Sequence, residues 1–155
     1  MNITVEEITN LEQKSKITEN ILRKLPNWFE LEQGILDFID GVKNKPFFVA
    51  KNNEETAGFI VIEDHNKWSS EIYVMGVLPE YRNQGIGHKL VESVWNRNQK
   101  LGKKYLIVKT LDESADDLNY NETRKFYEKV GFIPLFATTD IWGIDNPCLV
   151  MLKDN

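Results

Sequence analysis

One cysteine, Cys148, in 155 residues leaves no partner for an intrachain disulfide and too few thiolates for a cysteine-held zinc site. Cysteine usage this low fits a reducing, cytoplasmic setting. Histidine is equally scarce. His65 and His88 are the only two, and no Gly-x-Ser-x-Gly accompanies them, so a serine-hydrolase triad has no support. Long apolar runs are missing too. Stretches such as Tyr73 to Leu78 fall far short of the roughly 18 residues that suggest a membrane span, and Glu6, Glu7 and Glu12 stand where a secretory leader would need apolar residues. Positive charge is not in excess: 19 Lys and Arg against 24 Asp and Glu give a net charge of -5. Such a surface repels phosphate backbones and anionic lipid, so neither nucleic acid nor membrane is an expected partner, and any polyanion site must be a local exception. The acidic run Asp112, Glu113, Asp116 and Asp117 lacks the glycine and the alternation of a calcium loop, and no metal site is expected. Repeats, low-complexity tracts and linkers are absent.

What remains is an ordinary globular composition, 41% hydrophobic and 28% charged, in a chain of one domain's length, so residues 1–155 are expected to form a single domain. Ile3 to Val5 suggests a short strand. An imperfect apolar stripe at Leu11, Ile17, Ile21, Leu22 and Leu25 predicts a helix ended by Pro26, and Leu31 to Val42 predicts a second. Phe47–Ala50 and Ala57–Ile62 read as a hairpin turning at Asn52-Asn53. After a polar turn at Asp64–Lys67, the run Glu71–Leu78 alternates. Ile72, Val74, Gly76 and Leu78 are expected on one face and Glu71, Tyr73, Met75 and Val77 on the other, with Pro79 ending the ladder. Gly85–Leu101 is the clearest helix, with Ile86, Leu90, Val91, Val94 and Trp95 on one face and Gly102 as its stop. Tyr105–Leu111 reads as a buried strand, 112–118 as an acidic loop, Thr123–Val130 as a short helix stopped by Gly131, and Phe132–Phe136 and Leu149–Leu152 as two last strands. A strand, a helix and a strand between Tyr73 and Val108 imply a right-handed crossover and one parallel pair. The expected fold class is therefore α/β: a mixed, mostly antiparallel sheet flanked by helices.

The stretch Arg82-Asn83-Gln84-Gly85-Ile86-Gly87 lies between a strand and an amphipathic helix. The first helical N–H groups lack intrahelical partners and converge on one spot, which the helix dipole makes favourable for anions. Glycine lets a ligand approach the backbone closely, and Arg82, His88 and Lys89 add donors. A dinucleotide fingerprint fails, because Leu90 stands where the third glycine is needed. A P-loop fails because no Ser or Thr follows Lys89.

Tyr81–Gly87 resembles the Arg/Gln-x-x-Gly-x-Gly/Ala signature of the GNAT superfamily of N-acetyltransferases. It follows a strand ending Met75-Gly76-Val77-Leu78-Pro79, as in that family. About forty residues on, Phe126-Tyr127-Glu128-Lys129-Val130-Gly131-Phe132 resembles the family's Phe-Tyr-Glu-Lys-x-Gly-Phe segment. The resemblance covers roughly residues 46 to 153. It implies one acyl-CoA N-acyltransferase domain with a splayed parallel strand pair, and acetyl-CoA as co-substrate. The pyrophosphate would rest on the amides of Gln84, Gly85, Ile86, Gly87 and His88, with Arg82, Asn83 and Lys89 alongside. Pantetheine would lie along the strand edge at Val77, and the thioester would end near Tyr127. One departure stands out: many members have Asn seven residues before the Tyr, whereas this chain has Tyr120 there and Asn121 beside it. The Asn146-Pro147-Cys148 segment resembles the tail of one bacterial branch.

Acetyl transfer needs a neutral amine, a stabilised carbonyl oxygen and a protonated leaving thiolate. Glu71 is the candidate base, by resemblance to family members with Glu at that strand position; a solvated or ion-paired Glu is the plainer alternative. Tyr127 is the candidate acid, since a phenol is protonated at pH 7; the alternative is a Tyr that packs helix on sheet. The Val77 N–H is the candidate oxyanion donor. Trp28 and Phe29 either anchor the core or wall the acceptor pocket. Glu63, Asp64 and His65 are weaker base candidates whose run reads mainly as a polar turn, and Cys148 reads as a buried, inert thiol. The expected activity is acetyl-CoA-dependent N-acetylation of a primary amine on a small molecule, by direct attack in a ternary complex. The alternatives are a peptide or protein N-acetyltransferase, or an acyl-CoA sensor without turnover. The sequence leaves a homodimer open.

Overall fold

The structure, a computed structural model, describes residues 1–154. Its strands are β1 (Ile3–Glu7), β2 (Phe47–Asn52), β3 (Glu55–Asp64), β4 (Ser69–Val77), β5 (Tyr105–Leu111), β6 (Ile133–Thr138) and β7 (Cys148–Lys153), and its helices are α1 (Leu11–Leu22), α2 (Glu32–Gly41), α3 (Ile86–Lys100) and α4 (Leu118–Lys129). The strands form one sheet in the order β1-β2-β3-β4-β5-β7-β6. Every neighbouring pair is antiparallel except β4 and β5, which run parallel across the α3 crossover. The expected α/β class and its single parallel pair are both present.

Apolar faces set the layers. Leu90, Val91 and Val94 of α3, with Tyr127 of α4 and Val130 just after it, bury against Ile60, Ile62, Leu106, Val108 and Met151 on one side of the sheet. Ile21 and Leu22 of α1 and Ile35 of α2 bury against Phe47, Phe59, Val61 and Val74 on the other. A fully buried aliphatic side chain such as Leu90 typically costs about 2–5 kcal/mol when cut back to alanine. Two polar ties fix the helices. Asn98 of α3 donates to Ser70 of β4 at 2.6 Å with both residues buried. Lys14 of α1 reaches the carbonyls of Lys43 and Lys45, and burial lowers its pKa.

The structure departs from the expected elements in three places. The first helix closes at Leu22, and Lys24 and Leu25 continue only as turns bonded to Ile21 and Leu22. α4 begins at Leu118 and not at Thr123, because the Asp117 carboxylate caps it by accepting from the amides of Asn119 and Tyr120. The acidic segment is therefore a turn and a helix cap. Finally, β4 does not alternate strictly. Val61 of β3 faces Val74 while Ile62 faces Ile72, so Tyr73 is an extra residue in a β-bulge.

Candidate active site

The bulge decides which side chains meet. Ile72, Met75 and Val77 pack on the α3 and α4 side of the sheet, whereas Tyr73 packs against Phe38 of α2, 5.3 Å between ring centroids. An added Cβ at Gly41 of α2 would overlap the Tyr73 hydroxyl, and one at Gly76 would meet Leu25 and Ile21 of α1. The expectation that Glu71 shares a face with Tyr73, Met75 and Val77 is thus corrected: Glu71 shares its side with Tyr73, and Met75 and Val77 lie on the other. The physical reason is the one-residue insertion, which turns the rest of the strand over.

β4 and β5 pair only from Ser69–Ile72 against Tyr105–Val108. Beyond that point they splay, and the β4 edge from Tyr73 to Val77 has no strand partner on its β5 side. Its unpaired N–H and C=O groups are a template for an extended ligand.

Glu71 sits at the last paired turn before the splay, its side chain 14% exposed. One carboxylate oxygen lies 2.8 Å from His65 Nε2 and the other 3.4 Å from Lys109 Nζ. Glu63 stands directly across the ladder from Glu71, and Lys45 offsets that like-charge pairing with a contact of 3.3 Å to Glu63. Asp64 is not part of this group. It binds Arg97 of α3 through both oxygens, and that guanidinium holds its carboxyl below the usual carboxylate range. His65, taken from sequence as part of a polar turn, therefore belongs with Glu71; the β3–β4 hairpin register that joins them is not readable from spacing alone.

Tyr127 is buried between Phe126 and Phe132, and burial pushes its phenol well above its ordinary pKa. The group therefore holds its proton throughout the neutral range. It lies on the side of the sheet that carries Met75 and Val77.

At the start of α3, Asn83 (φ 59°) and Gly85 (φ 80°) both adopt left-handed backbone. Alternating backbone of this kind turns successive N–H groups toward one point, ahead of the free amides of the helix start. Gly85 is needed for its backbone angle, since an added Cβ there would meet nothing. Gly87 is needed for packing: its Cβ would come within 2.9 Å of the Phe126 ring of α4. His88 faces solvent beside Glu92, at 3.7 Å, and Gln84 donates to the Glu80 carbonyl.

Trp28 bridges the two sides of the molecule. The Arg82 guanidinium lies 4.5 Å over its ring, its Nε1 donates to Thr123 Oγ1 at 3.1 Å, and its carbonyl accepts from the Tyr120 hydroxyl at 3.3 Å. Phe29 turns the other way and packs edge-on to Phe38, inside the α1–α2 layer. Cys148 is buried and free, and burial raises its thiol pKa. Among the described residues there is no cluster of three or more metal-ligating side chains, and no helix is long and apolar enough to cross a membrane.

An acetyltransferase (GNAT) domain matches residues 43–134, more than half of the chain, and the chain belongs to that family. Solved structures agree on the fold along the whole length. A GNAT-family structure from Desulfovibrio desulfuricans superposes with a TM-score of 0.83 at 16% identity, covering 99% of each chain. A GNAT family acetyltransferase from Elizabethkingia anophelis with acetyl-CoA bound gives 0.73 at 20% identity, again over 99% of each chain. An aminoglycoside 6'-N-acetyltransferase complexed with coenzyme A gives 0.75 at 19% identity, covering 99% of this chain and 97% of the other. No curated protein matches the sequence.

Proposed function

We propose that this acetyltransferase uses acetyl-CoA to acetylate a primary amine of a small molecule, by direct attack with both bound. The observation that carries the reading is the division of the site between the two sides of the sheet at the splay. Tyr127, Met75 and Val77 lie on the side of α3, whose N-terminus forms the anion cradle, and Glu71 and Tyr73 lie on the side of α1 and α2. Donor and acceptor can then approach the gap from opposite sides and meet within it.

The residues present suit acetyl-CoA. The left-handed turn at Asn83 and Gly85, the free amides through His88, and Arg82 and Lys89 suit a pyrophosphate in an otherwise acidic chain. The unpaired β4 edge ending at Val77 suits an amide-bearing arm, and the bound thioester supplies the acetyl group.

The chain's own groups supply the rest. An amine of lysine-like pKa, near 10.4, is neutral in only about 1 molecule in 2,500 at pH 7. Glu71 accepts its proton, directly or through water, an effect typically worth about 10²–10⁴-fold. The Val77 N–H donates to the carbonyl oxygen as the amine nitrogen bonds to the carbonyl carbon and charge develops there. As the C–S bond breaks, the Tyr127 hydroxyl gives its proton to the departing thiolate and regains one from the second proton that the acylated nitrogen sheds. On the acceptor side burial raises the pKa of Tyr73, and the field of Glu63, Asp37 and Asp40 adds to that rise. That field favours a cationic acceptor. Trp28 walls the acceptor side, while Phe29 supports α2. The test is release of free thiol from acetyl-CoA against a panel of amines, polyamines and amino acids. Turnover with a small cationic amine is expected; turnover only with peptides would redirect the reading to a protein acceptor, and none with any amine would leave an acyl-CoA-binding protein.

A further inference from the structure

We propose that Thr110 holds the pantetheine arm of the acyl-CoA, its hydroxyl donating to a carbonyl oxygen of that arm; the inference rests on the acyl-CoA reading above. Thr110 is 3% exposed, and its Oγ1 is the one buried side-chain nitrogen or oxygen among the described residues that has no hydrogen-bond partner. A buried hydroxyl left unpaired costs stability that a methyl group of the same size does not. The two residues before it on the same face of β5, Leu106 and Val108, are aliphatic, and valine at 110 would keep the shape without that cost.

The location accounts for the hydroxyl. β5 pairs with β4 only as far as Val108, so Thr110 stands two residues into the splay. Its face of β5 is the one that carries Leu106 and Val108, and Leu149, its partner on β7, belongs to the same apolar cluster as Tyr127. Met75 and Val77 line that side across the gap. The polar side chains of α4 nearest in the chain are already engaged: Asn121 with Arg124, Arg124 with the Leu111 carbonyl, Thr123 with Trp28, and Tyr120 with the Trp28 carbonyl. Thr110 carries the one buried side-chain hydroxyl among the described residues left without a partner. Rotation about χ1 exchanges its hydroxyl with its methyl group and can swing the donor toward the gap. A pantetheine arm brings two amide carbonyls and a thioester, acceptors of the kind this donor lacks.

The test uses Thr110→Val and Thr110→Ser in calorimetric titrations and thermal melts, with two probes: acetyl-CoA, and 3'-phospho-ADP, which keeps the nucleotide and pyrophosphate but has no arm. Thr110→Val should melt at or above the parent's temperature, bind acetyl-CoA about five- to tenfold more weakly, and bind 3'-phospho-ADP as the parent does. Thr110→Ser should restore acetyl-CoA affinity. Parental acetyl-CoA affinity in Thr110→Val would overturn the proposal. So would equal weakening toward both probes, or a lower melting temperature for Thr110→Val without ligand, which would show the hydroxyl to be a structural partner. A parent chain that binds neither probe would instead overturn the acyl-CoA reading, an outcome visible before any variant is made.

Discussion

Glu71 and Tyr127 differ in how their environments prepare them. Tyr127 is enclosed by aromatic rings, and its raised pKa keeps the phenol protonated. Tyr127→Phe keeps the ring and its packing, so the melting temperature should hardly move while the rate of acetyl transfer falls at least about tenfold. Steady-state rates with chemistry limiting turnover check this, and an unchanged kcat would make Tyr127 a packing residue. Glu71, by contrast, is held by two partners from different elements, His65 and Lys109. The sequence pointed to Tyr127 because it lies in a motif, and to Glu71 because it begins the strand that leads to the glycine loop and resembles a family Glu at that strand position. It named His65 and Arg82 but not what they meet: His65 reaches Glu71 only through the hairpin register, and Thr123 and Arg82 meet at Trp28 from 95 and 54 positions away. Trp28→Ala removes the indole between α4 and the anion loop. The acceptor KM should rise while acetyl-CoA affinity stays within about threefold, since the wall contributes mainly apolar contact. A variant that unfolds would show Trp28 to be a core anchor.

At the scale of elements, the β4 bulge and the two ends of α3 set the site. The loop proposed to hold the anion is shaped by backbone angles, and its second glycine is also where α3 touches α4. Gly87→Glu would put a negative charge at the cradle, yet it also drives a Cβ toward Phe126. It should therefore lose melting temperature together with acetyl-CoA affinity, whereas Arg82→Ala should lose affinity with the fold intact; thermal melts read beside titrations separate the two. The C-terminal half of α3 is tied to the end of β3 by Arg97 and Asp64. Because Arg97 holds the Asp64 carboxyl below its ordinary value near 3.8, the pair contributes stability above that pH and loses it as pH falls through the lower, folded value. Melting temperatures of the parent should exceed those of Asp64→Asn at neutral pH and converge with them once acid has protonated the folded carboxyl, below the ordinary carboxylate range. A gap that stays constant would remove the link to titration. The helices were legible where apolar spacing and glycine stops agree, as in α3. The start of α4 was not, because Asp117 looks like any loop residue until its carboxylate is seen on the helix amides.

Across the whole molecule, the sheet order and the single parallel pair follow from the succession of hairpins and one crossover, and this much was readable in the chain. The distribution of the site over two sides of the sheet was not, because period-two alternation assigns a strand to fixed faces and a bulge of one residue reverses everything beyond it. Glu71 consequently faces the side of α2 and its acidic neighbours, opposite the anion cradle. That placement suits the base role proposed for Glu71, and the pH dependence of kcat/KM for Glu71→Gln tests that role most directly. The glutamine keeps the shape and removes the proton acceptor. The deficit against the parent should be about 10²-fold near pH 7, equivalent to about 2.7 kcal/mol of transition-state stabilisation. It should shrink steadily as pH rises toward the amine's own pKa, where neutral amine is supplied by the solvent. Parallel profiles from about pH 6 to pH 9 would contradict the account and leave Glu71 as a charge that attracts a cationic acceptor, an effect that added salt would then mimic.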